Sequence, residues 1–190
     1  MSLTVEKCIE GWTNSLKQLR VKADIVFFGD SLTYYGDFAS VFPDKVVCNL
    51  GLRGDTLQGL LDRVEQVGLL RPDKVYLMAG INNVDSATID EFANSYDLLL
   101  ESLQRCVSEA DMVVFSILPI NEKAFSIRCN NRQIKACNSR IETLSRKRGA
   151  QFIDVNSEYE IDGQLPASLT RDGIHLTSEA YNIWYNCLKK

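Results

Sequence analysis

Histidine occurs once in this 190-residue sequence, at His175. A zinc site draws several ligands from His, Cys and carboxylates, and the six cysteines, Cys8, Cys48, Cys106, Cys129, Cys137 and Cys187, contain no CxxC pair. Metal binding is poorly supported, and the expectation is a protein that works without metal or cofactor. The scattered thiols also fit small apolar side chains in a reducing compartment better than a disulfide framework. No apolar run approaches the roughly 20 residues that span a bilayer, and no signal-peptide core is present. These absences predict a cytoplasmic protein without membrane insertion. The alternative to that expectation is that Met1-Ser2-Leu3 is a cloning scar, in which case a native leader could have been trimmed.

Positive charge is not in excess. Against 25 Asp+Glu stand 21 Lys+Arg, a net charge of -4, which gives no basic footprint for tracking phosphates, so nucleic acid is not an expected partner. The densest basic cluster, Arg146-Lys147-Arg148, precedes Gly149 and reads as the cationic end of a helix. There is no G-x-G-x-x-G and no Walker-type lysine loop, which leaves a nucleotide-binding module without its motif. Nor does any repeat, low-complexity tract or Pro/Gly/Ser-rich linker divide the chain. Residues 1–190 are expected to form one domain, large enough to bury roughly 70% of its unfolded surface. Nothing in the sequence sets an oligomeric state.

What is present is an alternation of short β-rich runs with helical patterns, the rhythm of an α/β fold with a parallel sheet between helices. The strands are predicted at Asp24 to Phe28, Val46 to Asn49, Lys74 to Ala79, Met112 to Ile117 and Gln151 to Asp154. Each is an apolar run without clear alternation, as expected for strands buried on both faces. A long helix from Ile89 to Glu109 is announced by Thr88 and Glu91 at capping-box spacing. Asp55 with Gln58 gives a similar signal after the second strand, and Gly149 closes the helix before the fifth. Amphipathic helices at about Val5 to Leu19 and about Ser178 to Leu188 complete the reading.

The first strand runs into Gly29-Asp30-Ser31-Leu32. That puts a serine at the carboxyl end of a strand, where open α/β sheets bind ligands. By itself such a serine is a helix cap more often than a catalytic residue. His175 changes the balance, because any serine hydrolase mechanism in this chain must take it as the base. In Asp172-Gly173-Ile174-His175 a carboxylate three residues earlier can orient the imidazole on a tight turn. Ser31, Asp172 and His175 are therefore the catalytic candidates. Two more loops end at the same sheet edge, Asn49 to Thr56 and Gly80-Ile81-Asn82-Asn83. Acyl transfer needs donors aimed at a developing oxyanion, and the Ser31 N–H, Gly51 and Asn82 are the candidates. Tyr34, Tyr35, Arg53 and the loop from Leu118 to Phe125 lie nearby in the chain, either to shape a pocket or to pack.

Taken in order, Gly29-Asp30-Ser31, the Asn49 to Thr56 stretch, Gly80-Ile81-Asn82 and Asp172 to His175 resemble the four blocks of the SGNH, or GDSL, hydrolases. The resemblance covers most of the chain. It implies that the family's serine, glycine, asparagine and histidine stand at Ser31, Gly51, Asn82 and His175. It further implies a three-layer α/β/α, flavodoxin-like fold with a five-stranded parallel sheet and cofactor-free hydrolysis of small-molecule esters. One departure is Asn83, where many members carry Asp; the expected effect is on how Asn82 is held. Family members act on acetylated sugars, lysophospholipids, thioesters and simple lipids. The short chain without a lid insertion favours acetyl or other short acyl groups. Lysophospholipase or thioesterase activity is the alternative, and a non-catalytic ligand-binding module the rival from another class.

Overall fold

The computed structural model describes residues 5–19, 21–85, 88–124 and 129–189; Met1-Ser2-Leu3 and Phe125 lie outside the described residues. The five apolar runs form strands β1 (Ile25–Gly29), β2 (Val47–Gly51), β3 (Lys74–Met78), β4 (Asp111–Phe115) and β5 (Gln151–Ile153). All pair in parallel in the order β2-β1-β3-β4-β5. Parallel neighbours need crossovers, and helices supply them: α2 (Ser31–Tyr34), α3 (Leu57–Asp62), α4 (Glu65–Leu69), α5 (Ile89–Cys106) and α6 (Asn131–Lys147) lie between strands, while α1 (Val5–Leu19) precedes β1 and α7 (Asn156–Tyr159) and α8 (Tyr181–Cys187) follow β5. The result is a three-layer α/β/α sandwich. The chain leaves β1 first to one side and then to the other, so the strand order reverses between β1 and β3, where such sheets bind ligands.

Alternate residues of each strand feed two cores. Val26, Phe28, Val75, Leu77 and Val114 pack under α3, α4, α5 and α6 with Leu60, Val67, Tyr96, Leu100 and Ile141. Ile25, Phe27, Tyr76, Met78 and Phe115 face α7 and α8 with Phe38, Tyr159 and Trp184. In this second core Phe27 stacks on Phe38 at 3.8 Å and on Tyr76 at 4.7 Å between centroids, and Trp184 closes the row edge-on against Phe115. The expectation that every strand is buried on both faces holds for β1 and most of β3 but fails for β2 and β5. Those strands are the two edges of the sheet, and none of their residues is fully buried.

The capping box at Thr88 and Glu91 forms as expected, although α5 stops at Cys106 rather than Glu109. Arg148 caps α6 and pairs with Asp97 and Glu101, and Gly149 reverses the chain at φ 73°. The start of α3 differs from the Asp55–Gln58 reading. Thr56 is the N-cap and accepts the Gly59 N–H, while Asp55 is drawn to Arg63. Among the described residues Cys48, Cys106, Cys129, Cys137 and Cys187 are free thiols, and no helix is long and apolar enough to cross a membrane.

Candidate active site

Ser31 opens α2 directly after β1. The turn between them requires Gly29, because a Cβ there would overlap the Met78 carbonyl and the Thr33 side chain. Asp30 takes the capping role, accepting the Leu32 N–H at 3.0 Å. Ser31 is thereby relieved of capping, and its Oγ, 6% exposed as a residue, lies 3.0 Å from His175 Nε2. From the far end of the chain, Tyr181 on α8 donates its hydroxyl to the Leu32 carbonyl and fixes α2 against the second core.

The 170–175 turn is built to hold one imidazole. Thr170 Oγ1 donates to the His175 carbonyl and accepts the Gly173 N–H, and Gly173 stands at φ 98°, a conformation only glycine adopts freely. Asp172 Oδ1 accepts the N–H groups of Ile174 and His175, while its Oδ2 lies 2.6 Å from His175 Nδ1. Burial raises the Asp172 pKa, but the bonds from the imidazole and the two amides outweigh it and hold the carboxyl below the usual range. The carboxylate fixes the proton on Nδ1 and leaves Nε2 as an acceptor toward Ser31. The structure thus brings Ser31, His175 and Asp172 into one hydrogen-bonded chain.

The second and third loops are stitched to each other and to β1. The Leu52 N–H bonds the Gly29 carbonyl at 3.0 Å, Asn82 Nδ2 donates to the Asp55 carbonyl at 2.7 Å, and Asn83 Oδ1 accepts the Leu57 N–H at 2.9 Å. Asn83, the departure from the family pattern, thus ties the third loop to the first residue of α3. Gly51 does not serve as predicted: its N–H is donated to Asn49 Oδ1 at 2.8 Å, and its missing side chain makes room for the Tyr34 backbone. Three residues on, Gly54 occupies the left-handed position of a turn at φ 72°, with open space beside its Cα. Its N–H, the Ser31 N–H and the second Nδ2 hydrogen of Asn82 engage no partner among the described residues.

Beneath the nucleophile lies a buried charge cluster that the sequence did not announce. Arg63, 2% exposed, donates to Asp55 at 2.8 Å and to the Gly29 carbonyl at 3.1 Å, and its guanidinium lies over the Phe28 ring. Burial works against both charges, lowering Arg63 and raising Asp55, and their attraction offsets it. Asp30 has no such partner. Its Oδ2 is buried and accepts nothing, and burial pushes its carboxyl up to about 7 despite the Leu32 N–H. The unfolded chain ionises Asp30 near the ordinary carboxylate value, whereas the folded chain holds the proton until about pH 7. This group's contribution is therefore present at low pH, declines as pH rises, and is lost above about 7. Asp30→Asn, which keeps the capping acceptor, should move relative to the parent in its own favour by up to about 4 kcal/mol between about pH 4 and pH 8. Urea unfolding at the two pH values measures this, and a difference independent of pH would refute it.

Of the remaining candidates, Tyr35 stands edge-on to His175 with centroids 5.6 Å apart, and Tyr34 packs edge-on against Tyr35. Arg53 lies over the Tyr35 ring. The loop after β4 packs: Leu118 and Ile120 are buried, and the Asn121 N–H bonds the Gly173 carbonyl, bracing the histidine turn. Sequence reasoning named the loop that carries Asn121 but missed Thr170 and Arg171. The last of these had one available signal, its place next to Asp172. A cleft of about 660 Å³ along α6 and β5 includes none of the three triad residues.

A serine, histidine and aspartate in contact at the carboxyl edge of a parallel sheet define a hydrolase site. The chain belongs to the GDSL-like Lipase/Acylhydrolase family, which matches residues 27–183, and it is an ester hydrolase of that family. It is 25% identical over 166 residues to the Homo sapiens platelet-activating factor acetylhydrolase IB subunit alpha2, covering 83% of this chain and 71% of the relative. Among solved structures, a GDSL-like lipase from Bacteroides thetaiotaomicron superimposes with a TM-score of 0.77 at 21% identity, covering 95% of each chain. A lipase/acylhydrolase from Enterococcus faecalis gives a TM-score of 0.74 at 22% identity, covering 86% of this chain and 92% of its own.

Proposed function

We propose that the chain is a serine esterase that removes short acyl groups, acetyl above all, from small esters through an acyl-enzyme intermediate. The observation that carries this reading is the hydrogen-bonded chain from Asp172 to His175, 2.6 Å, and on to Ser31, 3.0 Å. Ser31 Oγ attacks the ester carbonyl as His175 Nε2 takes its proton, and Asp172 stabilises the imidazolium. The tetrahedral oxyanion is held by the Ser31 N–H, by Asn82 and by Gly54, which replaces Gly51 because its N–H is unengaged. His175 then protonates the departing alcohol. In the second half it takes a proton from water, whose oxygen attacks the acyl-enzyme, and Ser31 leaves with that proton.

The preference for acetyl rests on the curated relatives, whose name is acetylhydrolase, and on the absence of a lid insertion in the sequence. The test has two parts. A fluorophosphonate should add once to the native chain and not to Ser31→Ala, and labelling of another serine would overturn the assignment. Activated esters from acetate to decanoate, run beside acetylated sugars, an acyl thioester and a lysophospholipid, should show the highest kcat/KM at the short end. A maximum on long chains or on the lysophospholipid would replace the acetyl reading with the lysophospholipase one.

The oxyanion role of Asn82 makes a separate prediction. Removing one such donor typically lowers kcat by on the order of 10²–10³, about 3–4 kcal/mol, because it acts on charge present only in the transition state. Asn82→Ala should show this loss with KM little changed and should still take up a fluorophosphonate, more slowly. Asn82→Asp should be worse, since a carboxylate repels the oxyanion. A defect confined to KM in Asn82→Ala would mean that the residue only binds substrate.

A further inference from the structure

Two cations converge on the rim of this site without an acid to pair with. Arg53 comes from the loop after β2 and Arg171 from the histidine turn, and their guanidinium carbons lie 5.7 Å and 6.0 Å from the centroid of the same ring, Tyr35. That ring is the one whose centroid lies 5.6 Å from the His175 imidazole. All three side chains are solvent-accessible, Tyr35 by 38%. Of the other described arginines, Arg63, Arg105, Arg140, Arg146 and Arg148 each hold a carboxylate, and Arg71 and Arg132 do not but approach no aromatic ring. Arg53 and Arg171 hold none among the described residues. The neighbouring Asp172 is occupied on both oxygens by His175 and two backbone amides. One guanidinium on a tyrosine is an ordinary cation–π contact. A second on the same ring places two exposed guanidinium groups, neither held by a carboxylate, around one aromatic side chain, where each is available to an anion.

The position of the pair says which part of a substrate the anion belongs to. His175 must deliver its proton to the leaving oxygen, so the alcohol portion departs along the imidazole, the side on which Tyr35 and its two arginines stand. We infer that the preferred ester carries a negative charge, a carboxylate or a phosphate, on its alcohol portion, recognised by Arg53 and Arg171 across the Tyr35 ring. Guanidinium groups suit this task because their fixed fork of donors matches both anions. The inference rests on the esterase reading and adds to it the class of alcohol.

The experiment compares matched phenyl acetates: 3-acetoxybenzoate, 3-acetoxyphenyl phosphate and the neutral methyl 3-acetoxybenzoate, each kcat/KM divided by that ester's hydroxide-catalysed rate. A phenyl hemisuccinate and phenyl butyrate pair places the charge on the acyl side instead. The anionic acetates should exceed the neutral one by on the order of ten-fold at low salt, and the ratio should shrink at high ionic strength, because exposed charges are screened. The two anionic acetates together tell carboxylate from phosphate. In Arg53→Gln/Arg171→Gln the anionic-to-neutral ratio should collapse toward one, whereas a structural role would lower both rates and leave the ratio alone. Equal rates for charged and neutral acetates, a ratio that survives the double substitution, or a preference for the hemisuccinate would each overturn the inference while neutral esters are still hydrolysed. Failure to hydrolyse any ester, with no fluorophosphonate label on Ser31, would remove the esterase reading and the inference with it.

Discussion

Ser31→Ala should lower kcat by on the order of 10⁴–10⁶, and His175→Ala should do the same, with the double variant no worse than either single one. The equality follows from the geometry. Among the described residues Ser31 Oγ has one hydrogen-bond partner, His175 Nε2 at 3.0 Å, and the imidazole has one other, Asp172. Attack and proton removal are one event, so losing either member loses both. The residual rate would come from substrate binding and the oxyanion donors, which neither change touches. Stability should hardly move in Ser31→Ala, within about 1 kcal/mol by urea unfolding, because the serine's capping function belongs to Asp30. This separates a chemical loss from a folding loss. Activity within ten-fold of the parent in either single variant, or losses that multiply in the double, would break the triad reading.

The strands were legible in the sequence to within one or two residues because buried parallel strands are short apolar runs between turn residues, and Gly29, Gly80 and Gly149 mark their ends or the helices between them. The misreadings share a cause, which is that their physics is tertiary. Val46, Val47 and Leu50 look like a buried strand, yet β2 ends up at the sheet edge, and no local pattern distinguishes an edge from a centre. Asp55 and Thr56 both suit a helix cap, and the choice falls to Thr56 because Arg63, a full helix away, claims Asp55. Gly51 and Gly54 are equally plausible donors by composition; only the Asn49 side chain, folding back on Gly51, separates them. Ser31, Asp172 and His175 could be named because the chain has a single histidine and because their spacing is local at one end. Arg53, Tyr35 and Arg171 come from three separate loops, and their meeting on one ring exists only in the fold.

Asp172→Asn should lower kcat by on the order of 10⁴, the loss seen when a triad histidine is left in the wrong tautomer, and here the surrounding bonds make an escape difficult. In the native turn Asp172 is an acceptor on both oxygens, taking two amide protons on Oδ1 and the imidazole proton on Oδ2. An asparagine can accept on one side only. If its oxygen stays with the Ile174 and His175 amides, its NH₂ faces Nδ1, the ring proton moves to Nε2, and the histidine meets Ser31 as a donor instead of a base. If the amide flips to accept from Nδ1, its NH₂ confronts two backbone donors and the turn that aims the imidazole is destabilised. The first arrangement keeps the fold and loses the chemistry, so kcat and the rate of fluorophosphonate labelling should fall together while the unfolding transition stays near that of the parent. The pH profile supplies an independent check. The hydrogen bonds that hold the Asp172 carboxyl below the usual range keep it ionised until the solution is more acidic than an ordinary carboxylate requires. Its contribution to stability is accordingly present at neutral pH and lost only as pH falls through that depressed value. An acid limb in the parent's kcat/KM that lies above the carboxylate range is then not the titration of Asp172. Near-parental kcat in Asp172→Asn would mean that the imidazole is oriented by the 170–175 turn alone, and that the aspartate serves the backbone and not the base.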